Sequence, residues 1–229
     1  MSEEFIGPLL VVGAHPDDTE FGAGGTIAVF RQAGQEVHYV VCTDGSKGTK
    51  DREVRPADLA ARREIEQQNA ADLLGVSSVT FLRQEDGLLE PTLAARTALA
   101  RVIRTVRPRV LITHDPWRLY MLHPDHRAAG FLSTDAFVAA RDHLYSPELY
   151  FEEGLEPYDV PEIWFYAAAE VDHFVDISAA LDQKLAAIRC HVSQIRDPQG
   201  LEERMRKRAG EVGAKHGVTF AEEFKRLKI

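Results

Sequence analysis

Two cysteines in 229 residues, Cys42 and Cys190, are too few for a disulfide framework. Cys42 follows Val40-Val41 and Cys190 falls in a helical pattern, both settings in which free thiols pack as small apolar groups. Long hydrophobic runs are also missing. The longest near the start, Pro8 to Gly13, is too short to cross a bilayer or to form the core of a secretory signal, and Ser2-Glu3-Glu4 ahead of it is acidic where such a signal is basic. These features predict a cytoplasmic protein. Positive charge is not in excess: 27 Lys and Arg against 36 Asp and Glu give a net charge of −9, the wrong sign for a chain that lives on a phosphate backbone. Nucleic acid is therefore disfavoured as a partner. No internal repeat or low-complexity tract is present, and the 45% hydrophobic and 28% charged content is that of an ordinary globular chain. A single domain over residues 1–229 is expected.

What is there alternates. Leu9-Leu10-Val11-Val12 is a short continuous apolar run, the pattern of a strand buried on both faces of a parallel sheet. A helix is expected from about Gly24 to Ala33, a strand at Glu36 to Cys42, a long helix from Pro56 to Leu74 closed by Gly75, and a strand at Ser78 to Leu82. Thr92 to Val106 reads as a helix and Arg109 to Thr113 as a fourth strand, so residues 1–115 form a regular βα repeat. The expected fold class is α/β, a Rossmann-like, doubly wound, mostly parallel sheet with helices on both faces. Residues 116–229 are less regular: a helix from Asp125 to Ala140, a loop from Ser146 to Pro161, a strand from Glu162 to Ala168, and helices starting near Ser178, Leu201 and Thr219. The basic cluster Arg204 to Arg208 lies among glutamates and reads as a solvated helix face.

Directly after the first strand stands Gly13-Ala14-His15-Pro16-Asp17-Asp18-Thr19-Glu20. Ligands in open α/β sheets bind beyond the carboxyl ends of strands, which is where this segment lies. One imidazole and two adjacent carboxylates in a half-buried turn are costly unless a cation or a proton neutralises them. His15 and Asp18 can hold one divalent ion from the turn, leaving Asp17 to accept a proton from metal-bound water. In isolation, a turn with Asp17 and Asp18 capping the next helix explains the same residues. The glycines that follow do not make a dinucleotide fingerprint: Gly22 and Gly24 take the first two positions of G-x-G-x-x-G, but the last falls on Ile27.

A second cluster follows the fourth strand, Thr113-His114-Asp115-Pro116-Trp117 and then His123-Pro124-Asp125-His126. A parallel sheet brings the ends of these strands to one edge, so one of the two later histidines completes a three-ligand site with a position left for water. The other then meets the substrate, oriented by Asp125.

Together these motifs resemble the PIG-L/LmbE family of metal-dependent N-acetylglucosaminyl de-N-acetylases. The resemblance rests on Ala14-His15-Pro16-Asp17-Asp18-x-Glu20 with Gly24-Gly25-Thr26, and on His123-Pro124-Asp125-His126. Shorter matches are Thr43-Asp44-Gly45-Ser46, Arg63-Glu64 ahead of Leu74-Gly75, Asp86-Gly87 and His191-x-Ser193-Gln194. It implies zinc, or ferrous iron or another divalent ion, held by His15, Asp18 and His126. It also implies Asp17 as general base, His123 as oxyanion stabiliser or acid, and Asp125 as the residue that orients His123. Arg63 and Asp86 match positions that contact the sugar, and the family often forms homo-oligomers, trimers or hexamers. The sequence departs at Met121, where relatives acting on a mycothiol precursor carry tyrosine; Tyr120 is next to it.

The implied activity is removal of the N-acetyl group from an N-acetylglucosamine conjugate. Two other readings use the same residues: a non-haem iron oxygenase built on His15, Asp17 and His126, and a metal-containing sugar-binding protein without turnover. The polar stretch Thr43 to Arg55 is expected to form a pocket wall, and Trp117 to stack on a sugar or anchor its loop. Trp164 is expected in the core. His38, His114, His143, His173 and His216 have no partners in the sequence and read as surface or core residues, with His191 less certain.

Overall fold

The computed structural model describes residues 6–229, so Ser2-Glu3-Glu4 lies outside the described residues. The chain runs β1 (Leu9–Gly13), α1 (Asp18–Gln32), β2 (Val37–Thr43), α2 (Pro56–Leu74), β3 (Ser78–Gln84), α3 (Leu93–Val106), β4 (Val110–His114), α4 (Pro124–Arg141) and α5 (Pro147–Phe151). It continues with β5 (Glu162–Tyr166), β6 (His173–Asp176), α6 (Leu181–Ile188), α7 (Pro198–His216) and β7 (Ala221–Lys228). The strands form one seven-stranded sheet in the order β3-β2-β1-β4-β5-β7-β6. The first five are parallel, and β7 runs antiparallel to both β5 and β6. The order reverses between β1 and β4, and the crevice beyond their carboxyl ends is where such a sheet takes its ligand.

Both faces of the sheet are covered, which is why β1 is apolar at every position. Leu9 and Val11 enter one core with Ile27 and Phe30 of α1, Ala70 and Leu74 of α2, and Leu185 of α6. Leu10 and Val12, pointing the other way, enter a second core with Leu99 and Ile103 of α3 and Ala129 and Leu132 of α4. Trp164 is fully buried, as expected of a core strand. Gly75 ends α2 in a left-handed conformation (φ 73°), and its N–H bonds back to the carbonyl of Asp72.

The structure corrects three readings of the sequence. The first helix starts at Asp18 rather than near Gly24, so Gly22 to Gly25 lie inside it. Those glycines are poor helix formers, but they let neighbours approach: a Cβ at Gly25 would lie 2.7 Å from Ile177. The bare backbone also receives an ion pair. Glu222 of β7 accepts from the N–H groups of Gly25 (3.0 Å) and Thr26 (2.8 Å). Lys184 of α6 donates to Glu222 (2.5 Å) and to the carbonyl of Phe21 (2.9 Å), so two distant segments, α6 and β7, meet on α1. Second, residues 221–228 form a strand and not a helix. Glu, Lys and Leu favour helix locally, but pairing on both edges and burial of Phe224 against Trp164 decide the outcome. Third, the stretch 146–161 contains the short helix α5, and β6 occupies a segment in which no strand was expected. The basic face of α7 pairs as a solvated surface does, Arg206 with Asp182 and Glu202.

Candidate metal centre

The turn after β1 delivers two carboxylates in different directions. Asp17 is the N-cap of α1, held at φ 105°, and its side chain makes no capping bond. Its backbone N–H donates to Oε1 of Gln67 (2.9 Å), while Nη2 of Arg63, one turn earlier on α2, donates to the carbonyl of Pro16 (2.5 Å) and to Oδ2 of Asp17 (3.2 Å). Residues kept in this sparsely populated region need such over-determination. Burial, then the charge of Asp18, push Asp17 up to about 7, with Arg63, His191 and His15 pulling the other way.

Asp18, the first residue of α1, faces the histidines. Its Oδ2 accepts from the backbone N–H of His15 (2.8 Å) and lies 3.2 Å from both Nδ1 of His15 and Nε2 of His114. Its Oδ1 is 3.4 Å from Nε2 of His126. Against the cost of burial, His114 and His15 hold the Asp18 carboxyl well below the usual range. His15 has its other nitrogen, Nε2, 3.1 Å from Asp125 Oδ2 and 3.3 Å from Asp86 Oδ1. Burial opposes charge on this ring, but hydrogen bonds and attraction from Asp18 and Asp86 outweigh it and raise His15 to about 10. His126, in the first turn of α4, is held down at about 4 chiefly by burial, which keeps its lone pair available.

Donor atoms of His15, Asp18 and His126 all lie within 4.8 Å of one another. The chemistry of this set suits a divalent cation. It offers two imidazole nitrogens and a carboxylate, and the His15 ring stands among the acids Asp18, Asp86 and Asp125, which call for positive charge. With Nε2 turned to carboxylates, Nδ1 is the nitrogen of His15 left to face Asp18 and an ion.

The remaining site residues take places the sequence reading did not all foresee. His123 is exposed at the N-cap of α4, stacked on His126 (4.7 Å between centroids) and edge-on to His15 (4.6 Å). Burial and the neighbouring His15 charge lower its pKa. Asp125 was expected to orient His123. Its fully buried carboxylate accepts from the N–H groups of Gly87 (2.6 Å) and Leu89 (3.2 Å), lies 3.1 Å from Nε2 of His15, and shares with His15 and His123 a second group of donor atoms within 4.8 Å of one another. Arg63 and Asp86, matched to sugar contacts, are also engaged within the protein: Arg63 with Gly45, Pro16 and Asp17, and Asp86 with the N–H of Lys47 (2.8 Å) and with His15. Both still line a cavity of about 460 Å³ together with Lys47, Gly48, His123 and Gln194, so the stretch after β2 does form a pocket wall. Trp117 packs edge-on against Phe131 and Phe165 and anchors its loop. Tyr120 is 91% exposed at φ 62°, away from the pocket. The oxygenase reading required Asp17 as a ligand, but Asp18 shares the cluster with His15 and His126, and the fold is not all-β.

Two neighbours of the cluster had no signal as partners in the sequence. His114 is buried, bonded to Asp18 and stacked on His126 at 4.3 Å. Its place at the carboxyl end of β4, the strand beside β1, is the feature that marks it. Gln67 stands one turn after Arg63 on the same face of α2.

Residues 10–137 match the family model described as PIG-L, GlcNAc-PI de-N-acetylase. The chain is 40% identical over 187 residues to a diacetylchitobiose deacetylase of Thermococcus kodakarensis, covering 81% of this chain and 69% of that protein. Its fold superposes with a TM-score of 0.90 on N,N'-diacetylchitobiose deacetylase from Pyrococcus horikoshii in complex with an inhibitor, at 35% identity over 96% of this chain and 84% of that one. It is also similar, at 25% identity and a TM-score of 0.82 over 98% and 97% of the two chains, to a 4-carboxy-2-hydroxymuconate hydratase of Pseudomonas putida.

Proposed function

Because the chain belongs to the PIG-L (GlcNAc-PI de-N-acetylase) family, we propose that it is a metal-dependent hydrolase that removes the N-acetyl group from an N-acetylglucosamine conjugate, with zinc as the preferred ion. The observation that carries this reading is the convergence of His15 and Asp18 with His126 in a polar cavity, with Asp17 at its edge but outside the ligand set. The higher identity to deacetylases than to the hydratase favours amide hydrolysis over hydration.

His15, Asp18 and His126 would hold the ion, which when bound lowers the pKa of a water to roughly 7 and polarises a carbonyl. Asp17 accepts the proton of the attacking water, its carboxylate kept in place by Arg63 and Gln67 rather than by helix capping. The new C–O bond forms at the acetamide carbon, and the charge that develops on the carbonyl oxygen faces the N–H of His123. The C–N bond breaks as the proton held by Asp17 passes to the amine, releasing acetate and the glucosamine product. Asp125 fixes the His15 ring so that one nitrogen stays directed at the ion. Two free cysteines suit the reducing cytoplasm, and association into trimers or hexamers belongs to the same reading.

The test is acetate release from free GlcNAc, N,N'-diacetylchitobiose and GlcNAc-inositol after chelation, with zinc and then ferrous iron restored. Acetate is expected only with metal; a metal-loaded protein that releases none from any of the three would overturn the reading. Asp17→Asn is expected to keep its metal and lose at least about a hundredfold in turnover, the usual contribution of a general base.

A further inference from the structure

The His191-x-Ser193-Gln194 motif follows α6 and has so far no role. Its first and third residues are clamped from below. His191 and Glu20 are both fully buried, with Nε2 3.1 Å from Oε2. Glu20 Oε1 accepts from Nε2 of Gln67 (2.9 Å), and Gln67 in turn holds the N–H of Asp17. A second buried acid, Glu66, accepts from the N–H (2.8 Å) and the hydroxyl (2.6 Å) of Ser193. The Ser193 hydroxyl has one proton, which goes to the Glu66 carboxylate, so its oxygen can only accept from the next residue. Gln194 Nε2 makes that bond at 2.9 Å. The amide orientation is thereby settled: Oε1 and one N–H remain on the Gln194 tip. The tip lies in the wall of the metal-site cavity beside Gly48, where a Cβ would come within 3.0 Å of Oε1.

An acceptor and a donor side by side, held by buried carboxylates and facing a polar cavity, match the paired hydroxyls of a saturated sugar ring. We infer that Gln194 is a specificity-determining residue whose amide binds a ring hydroxyl of the glucosamine unit, an assignment that rests on the deacetylase reading above. The His191 clamp ties this contact to the base: the N–H of Gln194 donates to the carbonyl of His191 (3.0 Å), and the Glu20 and Gln67 links run without a gap from His191 to Asp17, so sugar and base are registered against one rigid frame. Gly48 leaves the room in which the hydroxyl meets the amide, and Lys47, paired with Glu85 at 3.0 Å, closes the rim.

The test compares the parent protein and Gln194→Ala on GlcNAc and its 3-, 4- and 6-deoxy analogues, with zinc content measured on each preparation. Loss of one hydrogen bond to substrate is expected to lower kcat/KM for GlcNAc roughly 3- to 10-fold, through KM, at unchanged metal content. One deoxy analogue, lacking the bound hydroxyl, is expected to be turned over equally by both proteins. The same loss factor on GlcNAc and on all three analogues would mark Gln194 as structural and overturn the inference, as would no loss on any of them. Failure of the metal-loaded parent to release acetate from GlcNAc, N,N'-diacetylchitobiose and GlcNAc-inositol alike would instead refute the deacetylase reading beneath it, and the two failures are told apart by the parent alone.

Discussion

Gln67→Leu is expected to slow turnover without emptying the metal site. Gln67 is fully buried and touches no metal ligand candidate through its side chain; it accepts from the N–H of Asp17 and donates to Glu20. Leucine fills a similar volume and makes neither bond. Asp17, freed from one of the contacts that hold it at φ 105°, can then relax toward a common backbone conformation. A residue in such a region stores on the order of 1–3 kcal/mol, and regaining the reactive geometry would cost that much in the transition state. At about 1.4 kcal/mol per factor of ten, kcat falls roughly 5- to 150-fold. The assay is acetate release at saturating substrate, with metal content and urea unfolding measured on the same preparation. A kcat within about twofold of the parent, or a loss that simply tracks missing metal, would refute the idea that α2 sets the base.

Two further outcomes follow from the same contacts. His114→Ala removes the ring bonded to Asp18 and stacked on His126, and metal affinity measured by chelator competition is expected to fall roughly 10- to 100-fold; an unchanged affinity would show that Asp18 needs no such support. Glu222→Ala leaves Lys184 buried without its carboxylate partner and removes an acceptor from two N–H groups of α1, which should lower the unfolding free energy by about 3–5 kcal/mol, read as a shift in the urea midpoint at constant slope; a loss below about 1 kcal/mol would mean that the pair merely occupies its place.

The parallel half of the sheet was legible because burial on both faces leaves continuous apolar strands, as in Leu9 to Val12, and because Gly75 marks a helix end. The start of α1 was not, since the glycines that discourage a helix locally are required by Ile177 and Lys184, which lie more than 150 residues away. Residues 221–228 carry helix-forming side chains, and only the vacancy between β5 and β6 makes them a strand. In the site, the two motifs stand out because histidines and acids cluster at strand ends. The contact of Asp125 with His15 could not be read, for it depends on how the loop carrying Gly87 and Leu89 folds over α4. His114 meets Asp18 only once β1 and β4 lie side by side.

The seam between α1 and β7 has a consequence for how the chain comes into being. Gly25 and Glu222 are separated by 197 residues, so the helix that carries Asp18 emerges from the ribosome long before its ionic anchor exists. At about 5–20 residues per second, translation leaves a nascent chain waiting roughly 10–40 s for that anchor. In the last part of this interval, from the emergence of β5 (Glu162–Tyr166) until β7 (Ala221–Lys228) is made, the half-sheet ends in an unpaired β5 edge, a strand that calls for chaperone cover or quick completion.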